Sequence, residues 1–288
     1  MTADYAELMA AAAKAAGLEP RAIVTPTDHY VRLNGIRFHY LDWGNEHLPH
    51  VVLLHGGSLQ AHTWDMAALL LRDRYHLIAP SQRGHGDTEW TPDEDLDKDN
   101  GDLIGMNTIR YAARHPQRLD AVGIVDVAPE TMREGQIEME QFRVETETLD
   151  RFEDFLARAQ KFIPHRAPEH LRYSLTHSLK PTDDGRYTWK QDHRRRRGDR
   201  DLSDEERAAA REARAEALWA DLLSIERPTI LFRGEWSKIL SPEVARRVVD
   251  GMTDARLVEI PRATHNVHSD NPKDFAAALD EFLTEVLP

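Results

Sequence analysis

The chain holds 288 residues, of which 41% are hydrophobic, enough for a substantial core and too many for a disordered or collagen-like polymer. Its formal net charge of −13 excludes a globally basic nucleic-acid binder. The lack of cysteine excludes disulfides, thiolate catalysis and cysteine metal sites, and no apolar run approaches the roughly 18 residues of a membrane span.

Residues 8–16 are mostly small and apolar, interrupted by Lys14 and preceded by Asp4 and Glu7 rather than by Lys or Arg. A secretory signal needs a basic start and an unbroken apolar stretch. A short alanine-rich helix ended by Gly17 and Pro20 is expected instead, as an extension (1–27) on the domain surface, with the cytoplasm as the default compartment. Two β-like runs, 29–33 and 36–41, flank Asn34-Gly35, a strong hairpin signal. Residues 51–54 read as a strand buried on both faces, because they are apolar without alternation. A helical pattern at 64–71, a strand at 75–79, and strands within 119–127, 228–232 and 256–260 follow, with helical patterns at 242–249 and 272–286. This alternation predicts an α/β fold with a mostly parallel sheet, formed by 28–130 and 227–288.

Residues 131–226 break the rhythm: they are charge-dense, show no clear strand, and read as a helical cap inserted between core strands. Ser203 and Glu206 are placed as a capping box for a helix over 205–223. The basic run Arg194–Arg197 is followed at once by Asp199, Asp201 and Asp204, which makes it a solvated face rather than a nucleic-acid patch.

Chemistry concentrates in three loops that follow strands. The first, His55-Gly56-Gly57-Ser58, turns sharply and can expose backbone N–H groups. The second is Ser81-Gln82-Arg83-Gly84-His85-Gly86, and the third runs from Pro261 through His265 to His268. Together with YAARHPQRL at 111–119, VDVAPE at 125–130, RGEWSKILSPE at 233–243 and ATHNVHSDNP at 263–272, they make the chain resemble the capped branch of the α/β-hydrolase family from about residue 28 onward. That branch contains epoxide hydrolases, haloalkane dehalogenases, lactonases, esterases and C–C hydrolases. The resemblance implies an α/β-hydrolase-like sheet flanked by helices, His265 as catalytic base, and Gly57, with Ser58 as the alternative, as an oxyanion-hole donor.

Three positions depart from the family. Its nucleophile sits on a G-x-S-x-G elbow, or the aspartate version, just before the helix matched here by residues 111–116. No G-x-S-x-G occurs in the chain, and Asn107, a carboxamide and no effective nucleophile, falls where the nucleophile belongs. Counting back without a gap instead puts Asp102 there, at the cost of burying the strand Leu-Asp-Lys-Asp-Asn-Gly at 96–101. The crossover segment 87–100 has only Trp90 and Leu96 as large apolar side chains, so it cannot cover the sheet, and a bare face is a liability for association between copies. Lys238 stands where the family commonly has the acid, which leaves Asp126, Glu130 and Glu235 as candidates. Ser81 replaces the aspartate usual before Q-R-G-H-G.

No metal site or cofactor motif is evident: His265 and His268 lack a carboxylate cluster, and HExxH, Walker and dinucleotide patterns are absent. Two readings remain. One is a hydrolase of small or medium apolar esters, lactones or epoxides. The other is a catalytically impaired relative, a ligand or partner binder or a deletion variant, in which two triad roles are unfilled.

Overall fold

The computed structural model describes residues 2–90, 106–192 and 203–287. Asp102, the strand considered at 96–101 and the basic run Arg194–Arg197 lie outside them. In chain order the elements are α1 (Thr2–Ala15), β1 (Thr27–Leu33), β2 (Ile36–Asp42), β3 (His50–Val52), α2 (Asp65–Leu71), β4 (His76–Pro80), α3 (Asn107–Arg114), β5 (Val122–Val125), α4 (Arg133–Glu145), β6 (Thr148–Leu149), α5 (Phe152–Phe162), α6 (Pro168–Ser178), β7 (Leu179–Pro181), β8 (Tyr187–Trp189), α7 (Asp204–Leu223), β9 (Thr229–Gly234), α8 (Pro242–Gly251), β10 (Ala255–Ile260), α9 (Val267–Asp270) and α10 (Pro272–Val286). The chain divides into two compact units, Met1–Thr91 with Ile137–Asp192 and His268–Ala276, and Pro92–Gln136 with His193–Val267 and Ala277–Pro288.

The first unit carries a four-stranded sheet in the order β1-β2-β4-β3. Its hairpin turns at Asn34 and Gly35, both at positive φ (49° and 82°), the conformation that the two-residue turn demands. β3 departs from expectation. It was expected at 51–54 and buried on both faces, but only His50–Val52 is strand, and Val52 is 61% exposed. The reason is topological: β3 pairs with β4 alone and is an edge among the described residues, so one side has nothing to cover it. The aliphatic character that suggested a central strand therefore sits on an open edge.

The same unit holds α1, longer at its start than expected, whose Met9, Ala12 and Ala13 are buried as it packs on α6. It also holds a small antiparallel sheet, β6-β8-β7, in the stretch expected to lack strands. These strands are two or three residues long, too short for an alternating pattern to register. Phe155, Leu156, Ala159, Leu171 and Leu175 of α5 and α6 form a core against them with Tyr187 and Trp189.

The second unit is built on the parallel sheet β10-β9-β5. β9 is central and buried along its whole length, as the apolar run at 228–232 predicts. Leu218 and Leu222 of α7 pack with Ile109 and Ala112 of α3 and Ile124 of β5 in one apolar cluster. α7 begins at the expected cap: Ser203 N–H donates to Glu206 Oε2 at 2.7 Å, and Glu206 N–H donates to Ser203 Oγ at 3.2 Å. The stretch read as one cap thus contributes α5 and α6 to one unit and α7 to the other. Among the described residues no helix is long and apolar enough to cross a membrane.

Candidate active site

The second unit brings together two of the residues singled out in the sequence. Asp126 ends β5 and His265 lies in the loop after β10, with His265 Nδ1 2.9 Å from Asp126 Oδ2. Asp126 is fully buried (0% exposed) and takes a positive φ of 50°, which turns its side chain off the strand direction. The backbone register still extends through it, because its N–H donates to Phe232 O at 2.8 Å. Two further donors fix the carboxylate: Gly234 N–H on Oδ1 at 3.1 Å and Ser237 Oγ–H on Oδ2 at 2.6 Å. A carboxylate can only accept, so the proton of His265 sits on Nδ1 and the lone pair on Nε2. The His265 side chain is 30% exposed, and among the described residues no side chain hydrogen-bonds its Nε2.

The other acid candidates are engaged elsewhere. Glu130 bonds Trp219 Nε1 at 2.9 Å and pairs with Arg247. Glu235 accepts the N–H of Arg262 at 2.8 Å and so anchors the loop that carries His265. Arg262 is itself at φ 55°, and Trp236 N–H bonds Ala263 O at 2.9 Å, which ties the loops after β9 and β10 together. Lys238 pairs with Glu134 at 3.0 Å. Ser237, which no motif singles out, acts as a positioning residue: its hydroxyl accepts the N–H groups of Ile239 and Leu240, both at 3.1 Å, while donating to Asp126. With its proton and lone pairs committed, it is not a nucleophile.

Gly234 is where these loops meet. A β-carbon there would fall far inside van der Waals contact of the carbonyl groups of Ala263 and Thr264. Gly234→Ala is therefore expected to displace the segment just before His265 and to cost about 2–4 kcal/mol, a backbone clash rather than a lost contact. Urea denaturation against wild type measures it. A change under about 0.5 kcal/mol, the range of a neutral surface substitution, would count against this packing.

In the first unit, the turn at Gly57 and Ser58 is open. A β-carbon on Gly57 would meet nothing within 4 Å, and Ser58 is at φ 62°. His55, before them, is buried, and its Nε2 accepts the N–H of Gln82 at 2.9 Å while Nδ1 bonds Gly56 O at 2.8 Å. Gln82 Nε2 returns a bond to His55 O. The glycine turn and the Q-R-G-H-G loop are thus clamped through one neutral imidazole. Ser81 fills the place of the expected aspartate by bonding His39 Nδ1 at 3.2 Å and Ala61 N–H at 3.3 Å through Oγ.

Of the nucleophile candidates, Asp102 lies outside the described residues. Asn107 is exposed as the first residue of α3, and no described strand leads into that helix.

The strand order, the loops after β5, β9 and β10 and the buried Asp126–His265 pair define an α/β protein. A sequence model of the alpha/beta hydrolase family matches residues 51–278, and the chain belongs to that family. It is 27% identical over 276 residues to esterase Rv0045c of Mycobacterium tuberculosis, covering 86% of this chain and 85% of the relative. It is 24% identical to 2-(acetamidomethylene)succinate hydrolase of Mesorhizobium japonicum, covering 82% and 88%. The crystal structure of esterase Rv0045c superposes with a TM-score of 0.70 at 23% identity over 98% of each chain. That of E-2-(acetamidomethylene)succinate hydrolase does so with a TM-score of 0.70 at 20% identity, over 90% of this chain and 99% of the other.

Proposed function

We propose that this chain hydrolyses small or medium apolar esters, with His265 as general base and Asp126 as its acid partner. The observation that carries the reading is the 2.9 Å bond between a fully buried carboxylate and an imidazole whose side chain is 30% exposed. One relative is named an esterase, which supports the ester chemistry, and another a hydrolase, which supports hydrolysis more broadly. The base acts on water. Water oxygen attacks the ester carbonyl carbon as Nε2 takes its proton, and the resulting imidazolium is stabilised by Asp126. Collapse of the tetrahedral intermediate expels the alcohol, which receives the proton from Nε2. The departure from the family's covalent route follows from the missing G-x-S-x-G.

The test is hydrolysis of p-nitrophenyl acetate and butyrate by wild type and His265→Ala, alongside labelling with a serine-directed fluorophosphonate. Turnover is expected to fall by about a hundredfold or more in the variant, with no burst and no adduct in wild type. A stoichiometric adduct would replace water attack with a covalent mechanism. Background rates in both proteins would leave the impaired, ligand-binding reading, which the unfilled nucleophile position favours.

A further inference from the structure

A second constellation lies wholly within the first unit. His62 is in the short helical turn Ala61–Trp64, Asp65 begins α2, and His177 is near the end of α6. Each offers a nitrogen or oxygen donor atom, and these atoms all lie within 4.8 Å of one another. The two imidazoles stack with centroids 3.8 Å apart.

Asp65 is fully buried, and among the described residues no Lys or Arg touches its carboxylate. Its hydrogen bonds are lopsided. Oδ2 receives His62 Nδ1 at 2.8 Å, the Tyr5 hydroxyl at 3.2 Å and the Tyr173 hydroxyl, while buried Oδ1 receives none. Buried His177 Nε2 has no partner either. Two unsatisfied buried donor atoms from different helices, one on a carboxylate without a fixed counter-charge, are each costly, and one cation would satisfy both.

We propose that His62, Asp65 and His177 bind one divalent transition-metal ion of the zinc type, which staples α6 to the turn before α2. Two imidazoles and one carboxylate suit zinc, cobalt or nickel rather than magnesium or calcium, which prefer all-oxygen shells. The Tyr5 and Tyr173 hydroxyls hold the carboxylate from behind, as groups around metal ligands do.

The experiment is zinc chloride titration of the full chain by calorimetry and thermal melting, with magnesium chloride as control and His177→Phe as variant. The phenylalanine keeps a ring against His62 and removes the donor nitrogen. One zinc per chain and a raised melting temperature are expected, with affinity reduced about tenfold or more in the variant, on the scale of losing one ligand. No saturable zinc binding, or the same affinity in a folded variant, overturns the proposal. X-ray absorption of the zinc-loaded wild type decides the matter even if the variant does not fold. Two imidazole nitrogens and a carboxylate oxygen at about 2.0–2.2 Å support the site, and a shell without two imidazoles overturns it.

Discussion

Asp126→Ala is expected to remove the proposed ester hydrolysis and to destabilise the second unit together. The carboxylate is buried and takes hydrogen bonds from Gly234 N–H, Ser237 Oγ and His265 Nδ1. Removing it strands the first two donors away from water, at about 1–3 kcal/mol each. It also frees the imidazole to adopt the wrong tautomer, so the rate should fall about a hundredfold or more. Asp126→Asn separates the two effects. Its amide oxygen can still accept from one of the donors, whereas its NH2 group cannot accept from Nδ1–H. Stability should therefore be lost less than activity. Urea unfolding and p-nitrophenyl butyrate hydrolysis on both variants measure the split, and wild-type kcat/KM in Asp126→Asn would remove Asp126 from the proposed chemistry.

Acid should loosen the first unit well before its carboxylates are neutralised. Burial, with the nearby His85 opposing protonation and the bond to Gly56 O favouring it, pushes His55 down to about 3. Burial, with Arg166 opposing protonation and Asp270 favouring it, pushes His170 down to about 3. Unfolded histidines titrate near 6.5, so between about 6.5 and 3 the unfolded chain binds protons that the folded chain refuses. The stability held by these neutral imidazoles is complete above pH 6.5 and is lost as pH falls through that window, by about 1.4 kcal/mol per pH unit for each. Melting temperatures between pH 7.5 and 4.5 should fall steeply, and less steeply in His170→Gln, which carries no titrating ring. Equal slopes in the two proteins would assign the acid sensitivity to other groups.

The sequence was most legible where a local rule sufficed. Asn34-Gly35 and the Ser203–Glu206 box each define a backbone geometry within a few residues, and both form as read. His265 stood out because its loop follows a strand and closes a run of family motifs. Its acid did not stand out from Glu130 and Glu235, because the choice depends on the left-handed turn at Asp126 and on two donors from the loop after β9. The exposure of β3 was hidden for a related reason: an aliphatic run records what a strand can bury, whereas its place in the sheet order decides what it does bury. The His62–Asp65–His177 cluster left no motif, since the turn Ala61–Trp64, the start of α2 and the end of α6 assemble it from distant parts of the chain.

Gly234 bears on how tolerance data for this chain should be read. In a saturation mutagenesis screen, position 234 should reject every replacement as completely as position 265 does, although glycine contributes no reacting group. Intolerance alone would then rank a spacer beside the proposed base. The two separate only when abundance is scored next to turnover: changes at 234 deplete the folded protein, and changes at 265 leave it folded and silent.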